Sequence, residues 1–347
     1  MIFQVSFRTL RIVLGNITTI SHLRCDVWLE IFQYFEAIEL FSTLKNVTGT
    51  SDEVLFNEKF RNQLRGLVID CHITNLLKGL TLNQVISLTM NNGASFGIVK
   101  QCCSLHSLKL KGESEWIISL VTKCSQISIK FEQLSITIPD IKPLHQILAC
   151  ISSLNSLRRL EIHAEELEET IGIPTVSMAP SKIEQLILKS CSAITYRDLS
   201  HMQSGFICVR YLSISLFQRS RISVHSFTFP FLRSLRVSLL EVPFEEINRL
   251  VSTMPSLMKL KLYGFADDVN FVNSDKWIHL LTSISTLFRI TVDISLQHDS
   301  SIFYCEKTRA ALHKINMSLT SIFDDLECYS HDERQLCWWQ LKGVIRK

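Results

Sequence analysis

Long cationic side chains recur along this chain of 347 residues, each close to leucine, isoleucine or valine. Where apolar and polar residues alternate in a strand, the polar ones share one face, and arginine and lysine there can form charge-assisted hydrogen bonds with carboxylates or phosphates. We therefore predict a surface that binds an acidic or phosphorylated segment of another protein; the alternative is a face that only meets solvent. The predicted binding residues are Lys109, Lys111, Arg159, Lys189, Arg236, Lys259, Lys261, Tyr263 and Arg289. Two acidic residues, Glu161 and Asp293, are predicted on the same side.

Residue types that catalyse reactions or bind metals are present, but not at the spacing that such sites usually show. Cys102 and Cys103 are adjacent, and neither His163 nor Cys191 has a partner at metal-ligand spacing. The sequence contains no glycine-rich phosphate loop and no His-Glu-x-x-His motif. We therefore expect no catalytic residue, no bound metal and no cofactor, which argues against an enzyme.

Composition argues against several classes of partner. A net charge of +3 is small for a nucleic-acid-binding chain, and no stretch reaches the roughly 18 apolar residues of a membrane span. The eleven cysteines are irregularly spaced without a Cys-x-x-Cys pair, and Arg8 and Arg11 interrupt the apolar stretch that a secretory signal would need. We expect reduced thiols, a cytoplasmic or nuclear location, and binding to neither nucleic acid nor membranes.

The cationic residues occur within or next to a repeated apolar pattern. The pattern Leu-x-x-Leu-x-Leu, with isoleucine or valine as alternatives, recurs along most of the chain, and its middle residues Leu160, Leu186 and Leu212 are 26 residues apart. That step falls in the range of leucine-rich repeats, about 20 to 29 residues. The middle residues of the ten units are Leu67, Leu88, Leu108, Leu134, Leu160, Leu186, Leu212, Leu235, Leu260 and Ile290.

Each repeat should combine a strand with a helix. The end of the pattern alternates apolar and polar residues, which is typical of a half-buried strand. Between strands the apolar spacing becomes helical, and we predict helices after Pro143, after Pro243 and after a candidate N-cap at Ser274.

Stacking such repeats predicts an α/β solenoid, a leucine-rich-repeat horseshoe with parallel strands on its concave face and helices on its convex face. The cationic residues would then line the concave face. We expect an N-terminal extension at residues 1–19, a small all-α module at residues 20–62, and irregular repeats with a C-terminal cap at residues 63–347. Trp338 and Trp339 are candidates for that cap.

The all-α module resembles a known motif. Val27, Ile31 and Phe35 fall on one helix face, and a second helix is predicted after a break near Glu36-Ala37. The stretch Leu23–Phe35, followed by Glu39-Leu40, resembles the start of the F-box, with Arg24 at the position where the family has proline. An F-box followed by irregular leucine-rich repeats is similar to the F-box/leucine-rich-repeat class of ubiquitin-ligase receptors.

This resemblance implies a function. In the family, the F-box docks on a Skp-type adaptor of a cullin-RING (SCF-type) ligase, and the repeats bind the protein to be ubiquitylated. We expect about half of the matching apolar residues to contact the adaptor, because three short helices cannot bury all of their apolar surface by themselves; the alternative is that most of them are internal core. The alternative is a protein-interaction scaffold whose F-box-like segment only caps the solenoid. The candidate adaptor-binding residues are Leu23, Val27, Ile31, Phe32, Phe35 and Leu40.

Overall fold

The computed structural model shows a mixed α/β protein whose strands are mostly parallel. The chain divides into two compact units, an N-terminal unit of residues 1–111 and a C-terminal unit of residues 112–347. The predicted extension at residues 1–19 and the predicted module boundary between residues 62 and 63 lie outside the described residues. The structure describes residues 20, 23–57, 64–70, 82–127, 130–139, 144–165, 180–190, 196–217, 227–297, 302–333 and 336–346.

Short helices open the N-terminal unit. They are α1 (Cys25–Phe32), α2 (Ala37–Glu39), which continues into a π-helical turn (Leu40–Leu44), and α3 (Gly49–Phe56). The predicted break near Glu36-Ala37 is confirmed, because the Glu36 side chain and the Glu39 side chain cap α2 reciprocally. Helix α1 buries Trp28 and Phe32, whose ring centroids are 5.6 Å apart.

Three parallel strands complete the N-terminal unit. They are β1 (Leu67–Ile69), β2 (Ser87–Asn91) and β3 (Ser107–Lys111), with a 3-10 turn (Leu82–Gln84) and helix α4 (Phe96–Gln101) between them. The middle leucines of three repeats stand in register, with Leu67 opposite Leu88 and Leu88 opposite Leu108. The repeat pattern therefore predicted both the strands and their alignment.

Seven further repeats form parallel strands in the C-terminal unit. Their middle residues again stand side by side, so that Leu160 lies between Leu134 and Leu186, and all of them are buried. The side of the sheet that faces away from these leucines is called the outer face below. The strands are β4 (Gln133–Ile138), β5 (Arg159–Ala164), β6 (Gln185–Ser190), β7 (Tyr211–Phe217), β8 (Ser234–Leu240), β9 (Lys259–Ala266) and β10 (Arg289–Gln297).

The helices of the C-terminal unit supply the other half of its core. Helix α6 begins directly after Pro143 as predicted and buries the stripe Leu144, Ile147, Leu148 and Ile151. The predicted N-cap Ser274 is wrong by one residue, because the side chain of Asn273 accepts the hydrogen bonds from the first turn. The helices are α5 (Ser114–Gln126), α6 (Leu144–Ile151), α7 (Tyr196–Gln203), α8 (Phe244–Ser252), α9 (Ser274–Ser283) and α10 (Ile302–Leu319). Among the residues described, no helix is long and apolar enough to cross a membrane.

The C-terminal end departs from the repeat. After α10, the strands β11 (Phe323–Glu333) and β12 (Leu336–Ile345) form an antiparallel hairpin, and β12 pairs antiparallel with β10. Trp339 on β12 is buried against Trp277 of α9, with ring centroids 5.1 Å apart. Trp277 also packs edge-on against Phe244 and donates its Nε1 hydrogen to the Phe271 oxygen at 2.9 Å.

Candidate protein-binding surface

Seven of the nine predicted binding residues lie on the outer face of the C-terminal unit. They occupy strands β5, β6, β8, β9 and β10, and each alternates with buried residues of the same strand. The other two, Lys109 and Lys111, are exposed on β3 of the N-terminal unit. The seven are Arg159, Lys189, Arg236, Lys259, Lys261, Tyr263 and Arg289.

Two of these cations share one acidic neighbour. The Glu161 carboxylate accepts hydrogen bonds from Lys189 Nζ at 2.6 Å and from an Arg159 guanidinium nitrogen at 3.3 Å. Burial raises the pKa of the Glu161 carboxyl, but the hydrogen bonds and charges of Lys189 and then Arg159 outweigh burial, so the pKa lies below its ordinary value. Arg159 and Lys189 are therefore held by the protein itself.

The remaining four cations form the second part of the outer face, named here the cation cluster: Arg236, Lys259, Lys261 and Arg289. Arg236 stands directly opposite Lys261 across β8 and β9, and Lys259 stands opposite Arg289 across β9 and β10. None of the four forms an ion pair within the part of the chain that the structure describes. Like charges directly opposite each other in a sheet are destabilising. An anionic ligand would relieve this repulsion.

Arg236 of the cation cluster contacts an aromatic ring. Its guanidinium carbon lies 4.7 Å from the ring centroid of Tyr263, which is a cation–π contact. Its Nε is buried and has no hydrogen-bond partner among the described residues. The Tyr263 ring thus contacts the guanidinium, and one buried donor of Arg236 remains unsatisfied within the described ranges.

The acidic side chains near the cation cluster pair with residues of the C-terminal hairpin rather than with the four cations. Asp293 lies on β10 opposite Tyr263, and its carboxylate accepts a hydrogen bond from Gln340 Nε2 at 3.1 Å. Farther along, Glu327 of β11 pairs with Lys342 of β12 at 3.4 Å. These partners come from the C-terminal hairpin, which the repeat pattern did not predict.

The predicted adaptor-binding residues divide into two groups. Leu23, Phe32 and Leu40 are buried in the N-terminal unit, whereas Val27, Ile31 and Phe35 are partly accessible. Val27 and Ile31 are one helical turn apart on α1. Tyr34, just beyond the end of α1, is 71% exposed and was not among the predicted residues.

Two cysteines are buried, and one hydrolase-like motif lies at the start of a helix. Burial raises the pKa of Cys102 to about 12, with the neighbouring Cys103 adding to the rise, and burial alone raises the pKa of Cys124 to about 12. The sequence does contain Gly-x-Ser-x-Gly at residues 93–97, the pattern around the nucleophile of many hydrolases. There, Ser95 is the N-cap of α4 with an ordinary φ of −73°, and its Oγ accepts a hydrogen bond from the Gly97 amide. This serine therefore caps a helix.

Metal-binding clusters are also missing from the described ranges, in which no three His, Cys, Asp or Glu side chains lie close enough to hold an ion. His163 is an exposed outer-face residue of β5, and Cys191 lies outside the described residues.

No family model and no curated protein matches this sequence.

Proposed function

We propose that this chain is the substrate-recognition subunit of a cullin-RING ubiquitin ligase of the SCF type. Its F-box-like helices would dock on a Skp-type adaptor, and the outer face of its C-terminal unit would bind the target through an acidic or phosphorylated segment. The observation that carries the proposal is the cation cluster, in which Arg236, Lys259, Lys261 and Arg289 lack acidic partners in the described chain. The chain would hold the target near the ligase without catalysing a step itself.

We also propose that the repeats of the C-terminal unit form a curved solenoid. A strand takes about 4.8 Å of width and a helix about 10 Å, so stacking both layers favours a leucine-rich-repeat horseshoe with the strands on the inner side. The outer face of the sheet would then be the concave surface of the horseshoe. A concave surface suits a bound segment, because ligand groups meet side chains from several strands at once.

The entry to α1 supports the adaptor-binding part of the proposal. Arg24 stands where the F-box family has proline, and its φ of −77° is close to the value of about −65° that a proline ring imposes. The substitution therefore leaves the backbone in the conformation that the motif requires. The Arg24 side chain is exposed and pairs with Asp26 at 3.4 Å.

The partly exposed stripe on α1 is the second support. Val27 and Ile31 reach the surface beside Tyr34, while Trp28 and Phe32 fill the core behind them. Three short helices do not bury all of their apolar surface, and a stripe of this kind is suited to pack on a partner.

Co-precipitation with a Skp-type adaptor tests the proposal. The V27A/I31A variant removes the stripe and spares the buried Phe32, whose loss would damage the fold. We expect adaptor capture to fall about tenfold or more, because two apolar contacts each contribute on the order of 1 kcal/mol at an interface. The control Q33A shortens an exposed side chain at the end of α1, outside the stripe, and should leave capture unchanged.

Two results would reject the ligase function. If the intact chain captures no adaptor, the alternative of a protein-interaction scaffold with an F-box-like cap is favoured. If the stripe variant and the control capture the adaptor equally well, then α1 does not form the contact.

A further inference from the structure

Large apolar side chains stand beside the cation cluster on the outer face. Leu240 at the end of β8 is 44% exposed, Trp338 on β12 is 38% exposed, and Phe265 on β9 is half-buried. Single exposed apolar residues are common on protein surfaces. These three, however, fall in one row across the strands, with Leu240 opposite Phe265, Phe265 opposite Ser295, and Ser295 opposite Trp338. We name Leu240, Phe265 and Trp338 the apolar ledge.

A covered serine lies between two members of the apolar ledge. Ser295 lies between Phe265 and Trp338 and is only 1% exposed, although it is on the outer face. Neighbouring side chains therefore cover this serine. Trp339, next to Trp338, packs on Trp277 in the core. Packing of β12 on the core therefore does not depend on Trp338.

The backbone of β9 holds Phe265 in place. Gly264 has a φ of +118°, which residues with a side chain rarely adopt, and a β-carbon added there would collide with the backbone oxygen of Leu239. Strands β8 and β9 therefore approach closely at Gly264. This close approach sets the position of Phe265 next to Leu240.

The apolar ledge and the cation cluster are within reach of one extended ligand. Leu240 is four residues beyond Arg236 on β8, and Phe265 is four residues beyond Lys261 on β9. Four residues of a strand span about 13 Å, and an extended peptide covers that distance with about four of its own residues.

We propose that the cation cluster and the apolar ledge form a single two-part site for an extended protein segment. The segment would carry an acidic or phosphorylated residue and a large apolar residue about four positions away. Charge complementarity specifies the first part of this partner, and the exposed apolar row specifies the second. This inference rests on the proposed target binding and adds a requirement that a charged surface alone does not impose.

Binding of labelled synthetic peptides to the full chain, measured by fluorescence anisotropy, tests this inference. The probes are peptides with a phosphoserine flanked by glutamates and with leucine four positions before or after it; in matched peptides alanine replaces that leucine. We expect the better leucine peptide to bind about tenfold more tightly than its alanine counterpart. Moving the leucine to two positions from the phosphoserine should remove this gain.

Variants locate the effect. L240S/W338S changes two exposed residues of the apolar ledge and should abolish the difference between leucine and alanine peptides, while acidic peptides still bind. The matched control V269S/M317S replaces two exposed apolar residues away from the outer face and should preserve the difference. Because the peptide comparison is made on the unaltered chain first, it stands even if a variant folds poorly.

The outcomes separate this inference from the proposed function. If acidic peptides bind and R236E/K259E/K261E abolishes binding, but leucine and alanine peptides bind equally, the two-part site is rejected and target binding by the cation cluster stands. If no acidic peptide binds, the proposed target binding itself is rejected. If L240S/W338S only converts a dimer to a monomer in sedimentation, the apolar ledge joins two copies of the chain and the inference is overturned.

Discussion

At the residue scale, identical side chains on the outer face have different roles because their neighbours differ. Arg159 pairs with Glu161, whereas Arg236 stacks on Tyr263 and has a buried Nε without a hydrogen-bond partner in the described part of the chain. Both arginines follow the same alternation in the sequence. The alternation predicts which face they share, and the residue two positions away on the same strand separates them: Arg159 has Glu161 there, whereas Arg236 has Ser238.

The pairing of Glu161 predicts a pH-dependent contribution to stability. Its folded-state pKa lies below the ordinary value of 4.5, so ionised Glu161 stabilises the fold above that pH, and the contribution is lost as pH falls below 4.5 through the folded pKa. We expect Glu161→Gln to lower the free energy of unfolding by about 1 kcal/mol or less at pH 7. Urea unfolding at neutral and acidic pH measures the difference, which should disappear in acid.

Glu327→Gln is the matched control. Glu327 pairs with Lys342 across two strands as well, but both side chains are more than half exposed. A solvent-screened pair of this kind contributes little, so the control should unfold like the parent at both pH values. A Glu161→Gln difference that persists unchanged at acidic pH would show that packing, rather than charge, is responsible.

At the element scale, the strands of the repeat region could be predicted from the sequence, whereas the C-terminal elements could not. All ten predicted strands are present, and helices begin after Pro143 and Pro243, because buried leucines at fixed offsets specify both a strand and its neighbour. Helix α10 and the hairpin of β11 and β12 carry no such pattern. Strand β11 has charged residues where a repeat has leucines, so its pairing with β12 could not be predicted from the sequence.

The alternation of β12 predicts opposite outcomes for two adjacent tryptophans. Trp339 is fully buried against Trp277, whereas Trp338 lies on the outer face. Trp339→Ala should lower the free energy of unfolding by about 3 to 5 kcal/mol, the usual cost of removing a buried aromatic side chain. Trp338→Ala, the matched control, should cost less than about 1 kcal/mol. Urea unfolding followed by circular dichroism measures both, and equal losses would contradict the assigned sides of β12.

At the scale of the whole molecule, the average charge conceals the local charge. The chain carries 36 lysines and arginines against 33 aspartates and glutamates, a balance that favours no anionic partner. The cation cluster gathers four of those cations on three neighbouring strands. Binding by this protein should therefore depend on the local field of one face rather than on net charge.

This local field predicts a strong dependence on salt. Raising the ionic strength from about 50 mM to about 500 mM should weaken binding of a phosphoserine peptide about tenfold, because the screening length falls below the spacing of the charges. The ratio of affinities between leucine and alanine peptides should stay constant, since burial of an apolar side chain is not screened. Anisotropy titrations across the salt series measure both, and an affinity for the phosphoserine peptide that is independent of salt would contradict binding by the cation cluster.

The C-terminal hairpin also constrains how this gene can change length. Tandem duplication adds a repeat easily where the flanking repeats are alike, because each strand from β5 to β9 pairs in parallel with a neighbour on either side. Beyond β10 that equivalence ends: β12 runs antiparallel, and β11 carries five acidic residues among its eleven. A duplicated repeat inserted after β10 would separate Trp277 from Trp339. We therefore expect homologous genes to gain and lose repeats upstream of Arg289 and to keep the hairpin as a fixed end.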